Sequence, residues 1–213
     1  RITPNGDKAF SKSLSQAPSV LAMFENDKGI YPKTTGTVIL GEDQGGTFAT
    51  GVTQNIPILA QSANQGIAVA RAEVDSLVRR IPLLLRTPDG WVPAFGTEVL
   101  KILAGADTYI IRTNDNGLEE IRVKGLPAVP VDSLGRKWIS FVNTPQTDLQ
   151  EMDVEGRFVF VGFTAKGVMP QLSTPVGYLE PHKIQAALAE SILIENSPYV
   201  PDYALAVETG ILL

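Results

Sequence analysis

Apolar residues recur at helical spacing in several stretches of the chain. Phe10 and Leu14 share a face within Asp7 to Gln16, followed by Ala17, and Pro18 ends that helix. Phe95, Val99, Ile102 and Leu103 mark a second helix, which Gly105 caps. Ile184, Ala187, Leu188, Ser191 and Ile192 give the strongest helical pattern, over His182 to Asn196, with Pro181 before the first turn and Ser197-Pro198 after the last. Tyr203 to Leu213 reads as helical again.

Strand patterns lie between these. Ser19 to Phe24, Thr37 to Leu40, Gly66 to Ala70 and Val78 to Leu85 are short apolar runs, and Pro82 marks the last as an edge or a bulge. Pro88-Asp89-Gly90 predicts a hairpin that ends near Trp91-Val92. Asn114 to Gly117 predicts another between Thr108–Arg112 and Glu119–Lys124. A third is expected from Val129–Val131 through Gly135 to Lys137–Phe141. Arg157 to Gly162, with four consecutive apolar residues, is the strongest strand pattern and predicts continuous burial. Residues 25–36 and 41–47 read as surface loops, and 51–66 as irregular with one helical turn near Ile58–Gln61. The expected fold is α/β: a single domain with a mixed β-sheet and hairpins, packed by three or four helices.

Composition narrows the function. The chain has 213 residues, 44% hydrophobic and 19% charged, which is a globular balance. A net charge of −5 without a Lys/Arg run speaks against nucleic acid as a partner. The lack of Cys excludes thiol catalysis, disulfides and Cys-bound metals, and it suits an oxidising compartment. His182 is the sole histidine, so no two-histidine metal site forms within one chain. Neither a nucleophile elbow nor a P-loop is present. No catalytic residue, metal or cofactor is expected. An opening on Arg1 and an apolar end at Gly210–Leu213 predict a piece of a longer protein, with 201–213 starting a membrane-proximal helix.

Two stretches resemble a known family. Val74-Asp75-Ser76-Leu77-Val78-Arg79-Arg80-Ile81-Pro82-Leu83 is similar to a pattern of Asp-Gly, two small apolar residues, paired Arg and an apolar Pro-Leu strand, with a helix following Trp91-Val92-Pro93. Val161-Gly162-Phe163-Thr164-Ala165-Lys166-Gly167 resembles a strand–Gly–x–Thr–Ala–x–Gly turn, and Thr174-Pro175 and Ile184-Gln185-Ala186 follow in order. Gly6 to Phe24 resembles the same family's middle segment. Together, over residues 1–196, these resemble the extracellular sensory domains associated with cyclases and histidine kinases, the CHASE domains of the second type. Three differences stand out: an apolar strand and helix that usually come first are missing or lie before Arg1, Val168-Met169-Pro170 replaces a common Asp, and Gln185 stands at the usual His. Ser76 in place of Gly is a milder change.

The resemblance implies an extracytoplasmic sensory domain over 1–200, on the periplasmic face of a bacterial inner membrane. The parent would be a receptor-type nucleotide cyclase or a histidine kinase, flanked by transmembrane helices and paired as a homodimer. The stimulus would be a small molecule or a protein. A free-standing periplasmic binding protein or a hydrolase using Asp75 or Glu73 is the alternative, and a ligand-free spacer is a third reading. Candidate ligand-binding residues are Asp75, Arg79, Arg80, Thr164, Lys166, Thr174 and Gln185. On a strand, Arg79 and Arg80 would point to opposite faces, and each has two readings: holding the turn through Asp75 or Glu73, or contacting an anion. Glu73 and Asp75 would share one side of that strand. The 162–167 turn could cradle an anion on its amides, with Thr164 and Lys166 adding a donor and a charge, or serve only as a tight turn. His182 is expected to be exposed or a local cap, with pH sensing as the lesser reading. Trp91 and Trp138 read as core or rim anchors.

Overall fold

A computed structural model of the chain describes residues 4–141, 145–147, 154–165, 170–195, 198 and 203–211. Along the described residues run α1 (Pro4–Leu14), β1 (Val20–Ile30), β2 (Gly36–Leu40), β3 (Thr47–Phe48), β4 (Val52–Thr53), α2 (Pro57–Ala60) and β5 (Asn64–Ile67). The central part comprises β6 (Arg80–Pro82), β7 (Leu84–Thr87), β8 (Gly90–Pro93), α3 (Phe95–Leu103), β9 (Thr108–Asn114), β10 (Gly117–Val123), β11 (Ala128–Pro130) and β12 (Arg136–Trp138). The last part holds β13 (Leu172–Thr174), β14 (Gly177–Leu179), α4 (Pro181–Leu193) and α5 (Ala204–Ile211). The fold is α/β, with parallel and antiparallel pairs in several small sheets.

Local chemistry explains the two central hairpins. Asp115-Asn116 connects β9 to β10, and Gly117 takes φ 126°, which a side chain would strain. Pro88-Asp89 connects β7 to β8 as its turn residues require. The largest sheet has the order β11-β10-β9-β2, with β2 parallel to β9. A second sheet, β4-β1-β5, joins β1 and β5 in parallel. One hydrophobic core runs through all of this. Ile67, Ile81, Leu84, Tyr109, Ile111, Ile184 and Leu188 meet in it. Each such side chain contributes about 1.5–3 kcal/mol by leaving water. Helix α3 lies against β1, β5 and α4, and Ile184 and Leu188 of α4 join the core.

Several expectations need correction. β1 continues through Glu25–Ile30, where a loop is expected, because Phe24, Glu25 and Ile30 pair with Val52 and Thr53. Within residues 51–66, α2 is the helical turn expected near 58–61, but β4 and the start of β5 replace irregular chain. The run 78–85 divides into β6 and β7 at Leu83, whose N–H donates to Gly135 O (3.0 Å) while its own carbonyl accepts from Ala94 N–H (3.0 Å). A tight turn does join β11 to β12, but the two strands part: β11 pairs with β10, and β12 with β6. The predicted strand Arg157–Gly162 is not a strand. It forms no β-ladder among the described residues, Phe158 and Val161 stay exposed, and Phe160 meets Phe95 edge-on with ring centroids 5.7 Å apart. Four apolar residues in a row predict burial only where a sheet accepts them.

Candidate functional site

The segment 71–79, leading into β6, forms a charged corner of the molecule. It is a loop, not the strand expected for Glu73 and Asp75. Glu73 N–H donates to Leu77 O (2.9 Å), and Ser76 N–H to Glu73 O (2.9 Å). This tight turn puts Ser76 at φ 67°, left-handed backbone that glycine adopts without strain. The family-like pattern has Gly there, and the structure shows why. Ser76→Gly is expected to stabilise the chain by about 0.5–1 kcal/mol, the relieved strain exceeding the extra freedom glycine gives the unfolded chain. Urea unfolding followed by Trp fluorescence would test this; an unchanged or lower midpoint would refute it.

The paired arginines work together, contrary to the expectation that they face apart. Arg79 lies just outside β6, so strand alternation does not govern it. Its Nη1 donates to Asp75 Oδ1 (2.9 Å) and lies 3.6 Å from Glu73 Oε2. Arg80 Nε donates to the other oxygen of the same carboxylate, Glu73 Oε1 (2.7 Å), and its Nη1 to Asp132 Oδ2 (3.1 Å). Asp75 is held below the usual carboxylate range, first by Arg79 and then by the Leu77 N–H. The guanidinium of Arg80 also lies over the Trp138 ring at 5.0 Å, which makes Trp138 a platform within the cluster.

Two further arginines reach the same corner. Arg136 donates through Nε to Asp132 Oδ2 (2.9 Å), so one carboxylate serves Arg80 and Arg136. Asp132 Oδ1 also accepts the N–H groups of Leu134 and Arg136, which shapes the turn between β11 and β12. Arg71 forks onto Glu25 of β1 and donates to Phe48 O (2.8 Å). A cleft of about 250 Å³ opens between these groups, lined by Arg71, Arg80, Arg136 and Glu73 with Pro82 and Leu134. Sequence reasoning found Arg79, Arg80 and the Glu73/Asp75 pair. It missed Arg71, Asp132 and Arg136. The Asp132-Ser-Leu-Gly-Arg136 turn was a local signal for two of these; Arg71 is placed by β1 and β3, which no local pattern reveals.

The other candidates lie elsewhere. Thr174 is buried and closes the β13–β14 hairpin, donating to Gly177 O (2.7 Å) and accepting from Val176 N–H (3.3 Å). Thr164 is exposed in the unpaired stretch, and Lys166 lies outside the described residues, as does most of the Val168-Met169-Pro170 difference. Gln185 is fully buried. Its Oε1 accepts from Gly96 N–H (3.0 Å) and its Nε2 donates to Val69 O (2.6 Å), tying α4 to the start of α3 and to the loop leading into Arg71. Gly96 allows this approach, because a Cβ there would sit 2.8 Å from Gln185 O.

Two titratable groups sit at the start of α4. Lys183 and Gln171 hold Glu180 down to about 2, through hydrogen bonds of 3.0 Å each. His182 is half-buried against the Gly162 backbone instead of exposed, and burial lowers its pKa. A third group lies in the core. Glu98 on α3 is 3% exposed, accepts from Tyr109 OH (2.8 Å) and pairs with Lys101 Nζ (2.8 Å). Burial raises its pKa against the opposing pull of Lys101 and Tyr109.

No helix among the described residues is long and apolar enough to cross a membrane. No curated protein and no solved structure shows a significant match to the chain. The CHASE2 domain profile, in contrast, matches residues 2–212. With a turn that asks for Gly at Ser76, a double-arginine corner and an α/β fold, the chain belongs to the CHASE2 domain family, a family of sensory domains found in cyclases and kinases.

Proposed function

We propose that this chain is the extracytoplasmic sensory domain of a membrane-bound signalling protein whose output is a nucleotide cyclase or a histidine kinase. The family match over residues 2–212 carries this reading. The arginine-lined cleft is its stimulus site, and residues 201–213 begin the connection to the membrane. A ligand there would bear on Arg71, two residues from Val69, whose carbonyl is held by Gln185 of α4. The bound state would differ from the free one in how α4 is seated, and the output follows as a population shift. Tyr203, Val207 and Ile211 recur every four residues and are all exposed, an apolar stripe that suits pairing of two copies along α5.

Location gives the direct test. The chain carries no Cys, so a single thiol can report on it. Val74 is fully exposed at the tip of the charged turn. Val74→Cys, in the parent protein with any other Cys replaced by Ser, is expected to react with a membrane-impermeant maleimide in intact spheroplasts. Labelling only after lysis would put the domain in the cytoplasm and sink the proposal.

A further inference from the structure

We infer that the cleft between β6, β12 and the 71–73 segment binds a small organic oxyanion, with a carboxylate or phosphate head held by Arg71, Arg80 and Arg136. This deepens the sensory reading, and its biological meaning rests on it.

Charge on the lining comes first. Three guanidiniums and one carboxylate, Glu73, face the cleft. Asp132 serves both Arg80 and Arg136, and Glu73 serves both Arg79 and Arg80, while Glu25 faces Arg71 alone. The donors left over point the same way. Among the described residues, Arg71 Nη1, Arg80 Nη2 and Arg136 Nη1 have no partner. A guanidinium carries five N–H donors in a rigid fork that matches carboxylate and phosphate oxygens. Here the carboxylates behind each fork fix it in place while one nitrogen stays free, so little side-chain freedom remains to be lost on binding.

The cleft also has room and grease. About 250 Å³ exceeds what one inorganic oxyanion fills, since a water takes up about 30 Å³. Pro82 and Leu134 supply an apolar wall. A charged head with a short carbon body uses both features. Glu73 on the rim disfavours ligands with charge at every end, because its carboxylate would face theirs.

Calorimetry and Trp fluorescence on the 213-residue chain test this, since Trp138 stacks on Arg80. The probes are inorganic phosphate and butyrate, titrated to about 20 mM at constant ionic strength against chloride. Saturation by one or both is expected, with affinity reduced about tenfold or more in Arg71→Ala and in Arg136→Ala, as loss of one charge-assisted hydrogen bond implies. Arg112→Ala, at an exposed position of β9 away from the cleft, should bind as the parent chain does. The arm that saturates at lower concentration identifies the head group. Saturation by neither probe, or equal affinity in Arg71→Ala, overturns the inference. That result would leave the sensory reading standing with its stimulus elsewhere. Binding that is intact in the isolated domain but without effect on the output of the full-length protein would keep the cleft as a binding site and remove its sensory role.

Discussion

Gln185→Leu is expected to lower stability by about 2–5 kcal/mol. The side chain is wholly buried and makes two hydrogen bonds, both to backbone. Leucine fills the same space but leaves the Gly96 N–H and the Val69 carbonyl dry and unpaired, at about 1–3 kcal/mol each. In a chain of this size that corresponds to a fall in Tm of about 5–15 °C. Gln185→His is expected to lose far less. A neutral imidazole has one donor and one acceptor, the pair this position needs. The usual family histidine and this glutamine would then do the same work, holding α4 to α3, rather than touching a ligand. Urea unfolding of both variants decides it: equal losses would show that the two backbone bonds do not carry the stability. If Gln185→Leu bound the cleft's oxyanion with unchanged affinity while the output was lost, the latch would lie between site and signal.

Glu98→Ala should cost about 3–5 kcal/mol, by taking the carboxylate from a largely buried ammonium, left with only Thr35 Oγ1 (3.2 Å) as acceptor, and from a buried phenol. Lys101 is 13% exposed at its side chain and also lies over the Tyr109 ring at 5.3 Å, so it has no easy route to water. Tyr109→Phe removes only the hydroxyl and should cost about 1–1.5 kcal/mol. Because both changes act on one network, their combination is expected to lose less than the two separate losses added together. The pH dependence has a definite sign. Burial raises the Glu98 pKa above its unfolded value, so folding takes up a proton there and gains from it at acid pH. That gain is lost as pH rises through the folded pKa. A wild-type minus Glu98→Ala stability difference that grew steadily toward alkaline pH would contradict this assignment.

Much of the architecture is legible in the sequence because it is local. Asn114 to Gly117 and Pro88 to Gly90 specify their own turns. The face of α4 repeats with the period of the helix, and Ile184, Ala187, Leu188 and Ser191, read from that repeat, are buried, whereas on α3 the residues read, Phe95, Val99, Ile102 and Leu103, are not the buried ones, which are Gly96, Thr97, Glu98 and Leu100. What was not legible depends on partners far along the chain. Glu25 to Lys28 reads as loop because it is charged, yet Val52 and Thr53 turn it into strand. Arg157 to Gly162 reads as strand because it is apolar, yet it forms no β-ladder among the described residues. The site divides the same way. Glu73, Asp75, Arg79 and Arg80 are close in sequence and were found together, whereas Arg71 gains its place from Glu25 and Phe48, on other strands. Gln185 was singled out as a family position, but its role comes from Gly96 and Val69, about 90 and 116 residues earlier.

The parallel pairing of β2 with β9 also bears on how the molecule is made. Gly36 faces Thr108, so β2 leaves the ribosome about 70 residues before its neighbour exists. At about 5–20 residues per second, that edge waits roughly 4–14 s. Val38, Ile39 and Leu40 are uncovered for that interval, a short β-rich segment without charge that other nascent chains can pair with. The sheet order therefore sets a kinetic demand on this chain: yield of soluble protein should rise when synthesis is quickened between residues 40 and 108 or when a holdase occupies β2 in the meantime.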